Sequence, residues 1–167
     1  MRIEGMNLPL PSDAWLAPAT DAAFINFVAN DSTVRPWVAG PIEYPLDLSP
    51  VLSNRDAICL VGRWGFSIFR QYAPHVYDLH AAVLPGGRGK WALEAGRASL
   101  DWLFGRTSAV AAVAAIPQPN REARQLASAL GFKLLYTAPD AWPIRGGGAV
   151  PLHVMGMMRR DWRVPYQ

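Results

Sequence analysis

Two short stretches hold the side chains best suited to chemistry. In Pro85-Gly86-Gly87-Arg88-Gly89-Lys90-Trp91, glycines and two cations stand directly ahead of a segment with helical periodicity. Glycine lets a backbone approach a ligand closely, and a helix N-terminus presents unbonded N–H groups and the positive end of the helix dipole, so the arrangement suits a bound anion. Arg88 and Lys90 add mobile positive charge. The same residues could form an ordinary solvated turn, but cations at a helix start oppose the dipole, and that conflict favours an anion. In Tyr77-Asp78-Leu79-His80, alternation puts Asp78 and His80 on one face of a strand. An imidazole titrates near neutral pH and can accept a proton there; a histidine in this position can equally sit in a core, bonded to a backbone carbonyl. Cys59, the only cysteine, lies in Ala57-Ile58-Cys59-Leu60-Val61 and reads as a small core residue, not a nucleophile. His75 and His153 have no cysteine or carboxylate at ligand spacing, so no metal is expected.

These stretches need a scaffold. The spacing predicts a first helix capped by Thr20 or Asp21, with Ala22, Ala23, Phe24, Phe27 and Val28 on its apolar face. Pro36, Pro41, Pro45 and Pro50 then predict an irregular loop with one helical turn near Leu46. Strands over 57–63 and 66–71 around Trp64-Gly65 predict a hairpin, and 76–84 a third strand. An amphipathic helix over 91–104 follows the basic glycine loop, with Glu94, Arg97 and Asp101 on its wet side. The continuous apolar run 109–116 reads as a strand buried on both faces, ended by Pro117 and Pro119. Asn120 should cap a helix through Leu130, with Gly131 as its left-handed stop. Strands over 132–137 and 151–158 flank a loop over 138–148 and precede a basic tail.

The order Val83-Leu84-Pro85-Gly86-Gly87-Arg88-Gly89-Lys90, then a helix, an apolar strand, Pro117-Gln118-Pro119-Asn120, Ala123 and Leu130-Gly131-Phe132 resembles the core of the GNAT N-acetyltransferases. That resemblance implies an α/β (α+β) fold. Its mixed, mostly antiparallel sheet of about six to seven strands would splay after strand 4, flanked by three to four helices. It also implies acetyl-CoA as cofactor: Ala81, Ala82 and Val83 would flank the pantetheine, Gly87, Arg88, Gly89, Lys90 and Trp91 would surround the pyrophosphate, and Asn120 would support the cofactor. The implied reaction is acetyl transfer to an amine by direct attack in a ternary complex. A protonated amine cannot attack a thioester, so a base is required, and His80 and Asp78 are the candidates. Many members carry a tyrosine after Ala-x-x-Leu to protonate the departing thiolate; here Leu126 is followed by Ala127.

Arg35-Pro36-Trp37, Tyr77-Asp78-Leu79-His80 and Arg88-Gly89 also resemble a narrower, often phage-encoded group of GNAT-like proteins. In this fold the loop holding Arg35 and Trp37 borders the acceptor cleft, so both are candidate substrate contacts, with packing of Trp37 on the sheet as the alternative. A GNAT-fold protein without turnover, acting as a binding or virion-associated component, is the second functional reading, consistent with Ala127.

Chain totals set the bounds. At 167 residues the chain fits one domain over 1–167, and with half its residues hydrophobic it can bury a real core. The net charge is only +3 and the basic residues form no stripe, which argues against nucleic acid as partner. MRIEGMNLPLPSD lacks the apolar centre of a signal peptide, and no apolar run reaches the ~20 residues that span a bilayer, so a cytoplasmic protein is expected, in the bacterial host if phage-encoded. The last strand is expected to offer a homodimer edge.

Overall fold

The computed structural model describes residues 16–162; the N-terminal stretch read for a signal peptide and the end of the basic tail at Arg163 lie outside the described residues. The strands are Ala17–Pro18 (β1), Ala57–Gly62 (β2), Gly65–Ala73 (β3), Val76–Val83 (β4), Ala111–Pro117 (β5), Lys133–Pro143 (β6) and Ala149–Met158 (β7). They form one sheet in the order β1-β2-β3-β4-β5-β7-β6, antiparallel throughout except for β4 and β5. Five helices accompany it among the described residues: Ala23–Ala29 (α1), Arg35–Val38 (α2), Ser49–Ser53 (α3), Lys90–Arg106 (α4) and Arg121–Leu130 (α5).

The sheet opens where the sequence resemblance implies. β4 pairs with β3 along nearly its whole length, but with β5 only through Val76, Tyr77 and Asp78, opposite Ala111, Ala112 and Val113. From Leu79 onward β4 has a hydrogen-bonded neighbour on one side only, and a V-shaped opening separates β1–β4 from β5, β7 and β6.

Each face of the sheet carries its own core. On one side, Leu60, Phe69, Ala112, Ile116, Met155 and Met157 pack against Leu100, Leu103 and Phe104 of α4 and Ala127 and Leu130 of α5. On the other, Cys59, Val61, Phe66, Ile68 and Ala82 receive Ile25 and Val28 of α1. Cys59 is a core residue as expected; burial pushes its thiol up to about 11, so it stays protonated. Arg159 closes the far end of α4, its guanidinium donating to the carbonyls of Phe104, Thr107 and Ala109.

Several sequence expectations need correction. The proline-rich loop contains two helical turns, α2 and α3, not one near Leu46, because Pro36 and Pro50 occupy first-turn positions where the missing N–H is no loss. The flanking helices accordingly number five, not three to four. β6 runs on to Pro143, through what reads as loop, by way of a register shift between Ala138 and Trp142. β7 begins at Ala149 and is no free edge, since β5 and β6 flank it; the outer strands are β1 and β6. Among the described residues no helix is long and apolar enough to cross a membrane.

Candidate functional site

The end of β4 leads into a tight connection. Pro85–Gly87 forms a single 3₁₀ turn stacked on Trp64, and a β-carbon on Gly87 would lie 2.2 Å from the Trp64 Cβ. Gly86 and Gly87 are therefore small because an indole lies beneath them, a packing reason where the sequence suggested ligand approach. Gly89 differs: its φ of +90° and ψ of −125° suit glycine, and a β-carbon there would meet nothing within 4 Å. It is the N-cap of α4, whose start has no side-chain cap and no acidic residue in the first turn. The start of this 17-residue helix carries the positive end of the helix dipole, the electrostatic setting for an anion.

Arg88 stands at the junction of three parts of the molecule. Its Nε donates to the Val83 carbonyl at the end of β4 (3.4 Å) and its Nη2 to Thr33 Oγ1 in the α1–α2 connection (2.8 Å). Its Nη1 lies 3.4 Å from Glu122 Oε2 in the first turn of α5. Lys90 extends into solvent, with Nζ 3.8 Å from Glu94 Oε1. Trp91 packs against the core under α4 and against Gly87.

On the α1–α3 side, Asp78 and His80 come together on β4 as alternation predicts, with His80 Nε2 3.4 Å from Asp78 Oδ2. His80 is opposite Ile68 in register and its side chain is 59% exposed, so the core-histidine alternative fails. Arg70, the cross-strand neighbour of Asp78, donates from Nη2 to the same Oδ2 at 2.7 Å. Burial acts to raise the Asp78 pKa, but the hydrogen bonds and positive charge of His80 and Arg70 outweigh it and hold the carboxyl below its usual range. Asp78 Oδ1 is buried without a hydrogen-bond partner among the described residues, a costly state that occurs preferentially at functional positions.

The sequence matches a family model over residues 22–162. The chain belongs to the DUF2824 family, described as a protein family of unknown function. No curated protein matches the sequence. Solved structures do match this DUF2824 chain in three dimensions. A Salmonella typhimurium protein solved with its cofactor acetyl-CoA aligns at TM-score 0.68 and 20% identity, over 91% of this chain and 97% of its own. Spermidine N-acetyltransferase from Vibrio cholerae, in complex with CoA and spermine, aligns at TM-score 0.72 and 15% identity, over 88% and 96%. A GNAT-family acetyltransferase from Bacillus anthracis aligns at 0.66 and 16%, over 81% and 87%. At these identities the likeness establishes a fold, and the DUF2824 chain has the GNAT fold.

Within it, the residues singled out from sequence divide. Ala81, Ala82 and Val83 line the opened edge of β4, and Arg88, Gly89 and Lys90 surround the α4 N-terminus. Asn120 caps α5, its Oδ1 accepting from Ala123 N at 3.2 Å, so that oxygen is committed to the helix. Arg35 is likewise occupied: its guanidinium donates to Asn30 Oδ1 (2.6 Å) and to the carbonyls of Ile42 (2.8 Å) and Tyr44. It ties the loop together through these bonds. Trp37 remains partly exposed on α2. His153 and His75 are bonded to Thr137 and Ser108. Thr33, Glu122 and Arg70 were not visible as site residues in the sequence, because their partners are 55, 34 and 8 positions away.

Proposed function

We propose that this chain is an acetyl-CoA-dependent N-acetyltransferase, one acyl-CoA-binding domain that transfers an acetyl group to an amine by direct attack in a ternary complex. The observation that carries the reading is the opening of the sheet beyond Asp78 next to an uncapped α4 N-terminus with Gly89 and Arg88 before it. The site fits the cofactor: open space at Gly89, the positive end of α4 without a side-chain cap and a guanidinium match a pyrophosphate, and the one-sided β4 edge matches an amide-bearing arm.

Gly87, Arg88, Gly89, Lys90 and Trp91 form the pyrophosphate cradle, and Ala81, Ala82 and Val83 the pantetheine edge, with Asn120 beside it. Bound acetyl-CoA supplies the activated thioester. The backbone between Ala81 and Val83 helps polarise its carbonyl. His80 removes the proton from the amine, and Asp78 orients the imidazole through Oδ2. Trp37 borders the acceptor, and Arg35 holds the loop that presents it. Ala127, where relatives place a tyrosine, is buried and has no proton to give, so water protonates the thiolate. That same alanine favours the second reading, a phage-encoded binding component without turnover.

Isothermal titration with acetyl-CoA separates the two readings from an inert fold. Micromolar binding that Arg88→Glu weakens at least tenfold supports the site; no binding at millimolar cofactor rejects it. With binding in hand, His80→Ala should abolish transfer and spare affinity, and loss of neither would remove His80 from the mechanism. A homodimer formed through β6 and a cytoplasmic site of action belong to the same proposal.

A further inference from the structure

Thr33, in the turn between α1 and α2, accepts a hydrogen bond from Arg88 Nη2 at 2.8 Å, although 55 positions separate the two residues. That turn has its own supports. The Asp31 carbonyl accepts from the Val34 and Arg35 amides at 3.0 and 2.9 Å, and Val34 is buried in the same core as Ile25 and Val28. Asp31 Oδ1 accepts from both the amide and the hydroxyl of Thr33, at 2.9 and 2.6 Å. A hydroxyl has one proton, and with that proton given to Asp31 the Thr33 oxygen turns its lone pairs to the guanidinium, which can only donate. The Thr33 hydroxyl and amide hold the Asp31 carboxyl below its usual range, and the charge of Arg88 lowers it further. Thr33 is therefore an oriented acceptor on a hydrogen-bonded turn.

Such an acceptor changes what Arg88 can do. An unrestrained arginine samples many rotamers, and a ligand that fixes it loses affinity by that entropy. Here Nε is turned to the Val83 carbonyl at 3.4 Å and Nη2 to Thr33, both neutral oxygens that leave the positive charge uncancelled. Two contacts suffice to set the plane of a guanidinium, and the shorter of them comes from the α1–α2 connection. Nη1 is then directed at an anion, Glu122 Oε2 at 3.4 Å, in the place an incoming phosphate would take.

Resting on the reading of Arg88 as a pyrophosphate ligand, we infer that Thr33 is a positioning residue of the cofactor site: it holds the Arg88 guanidinium with Nη1 toward the phosphate and makes cofactor affinity depend on the α1–α2 connection. The test is titration calorimetry with acetyl-CoA on wild type, Thr33→Val, Thr33→Ser, Arg88→Met and the Thr33→Val/Arg88→Met double variant. Thr33 is exposed, so loss of its hydroxyl leaves the core intact. Thr33→Val should weaken acetyl-CoA about fivefold, the size of one ordinary hydrogen bond, and Thr33→Ser, which keeps the oxygen, should bind within about twofold of wild type. On the Arg88→Met background the same valine should change affinity less than about twofold, because nothing is left for it to position. An equal loss on both backgrounds means that Thr33 only supports its turn and overturns the inference, as does wild-type affinity in Thr33→Val. Those two outcomes leave the cradle standing provided that Arg88→Met alone weakens binding. Undiminished affinity in Arg88→Met, or no binding by wild type, overturns the cradle and this inference together.

Discussion

Arg88 gathers a strand end, a loop and a helix start onto one guanidinium, and its partners differ in what a ligand would do to them. The Thr33 and Val83 bonds are to neutral oxygens, but Glu122 is an anion at 3.4 Å, mostly exposed, in the position a phosphate would contest. An exposed pair of this kind is worth about 0.2–1 kcal/mol, so removing the competitor should help the cofactor slightly. Glu122→Ala is expected to tighten acetyl-CoA about twofold by titration calorimetry, an effect of the size set by that pair; weaker binding would mean that Glu122 serves the ligand directly. Asp78 makes a different prediction. Its folded pKa is below the ordinary 3.8, so the unfolded chain binds more protons through that window. Its contribution is therefore present above pH 3.8 and disappears as pH falls through the depressed folded value. Asp78→Asn should cost about 1 kcal/mol near neutrality, seen as a melting-temperature drop of a few degrees that narrows progressively as wild type and variant are compared at falling pH below 3.8. The Asp78–His80 pairing was legible because strand alternation is a local rule. Arg70 was not, because cross-strand register is set by the hairpin.

At the scale of elements, the caps were the most readable features. Asn120 bonds the Ala123 amide, and Gly131 takes the left-handed conformation at φ +96°, both dictated by residue type at a helix boundary. Gly89 combines a similar backbone demand with the proposed anion site. Gly89→Ala places a β-carbon in open space yet forces an alanine to φ +90° and ψ −125°, so the loss is conformational, roughly 1–3 kcal/mol. Thermal unfolding should register it; an unchanged midpoint would mean that the connection relaxes and that the cradle is not rigidly held. What stayed hidden had two causes. Pro36 and Pro50 read as breakers, although they start helices. The outer half of β6 is masked by Pro139 and by Asp140, whose φ is +47°; pairing with β7 restores the strand at Trp142, and such pairing is tertiary, not local.

For the whole molecule, the fold class and the V alike followed from the resemblance, which the order of elements fits. Sequence pattern shows that the run Ala111–Pro117 is a buried strand; it does not show that the strand meets β4 for three residue pairs and then leaves it. Two links across the opening, Arg88 to Glu122 and the run from Thr33, which accepts from Arg88, to Gly40, which lies close against Pro143 and Trp142, join segments that only the complete fold brings together. The second of these links, which contains α2, sets a length scale for the cleft. While the Arg88–Thr33 bond and the close approach of Gly40 to Pro143 and Trp142 persist, the separation of the half-sheets at that level cannot exceed the contour of the chain from Thr33 to Gly40. Four of those residues are coiled in α2. A helical residue advances about 1.5 Å and an extended one about 3.4 Å, so unwinding that single turn would release about 7–8 Å of slack with both anchors intact. The gape is thus tied to one helical turn, and replacements that tighten or loosen 35–38 are expected to change the size of the group that the opening admits.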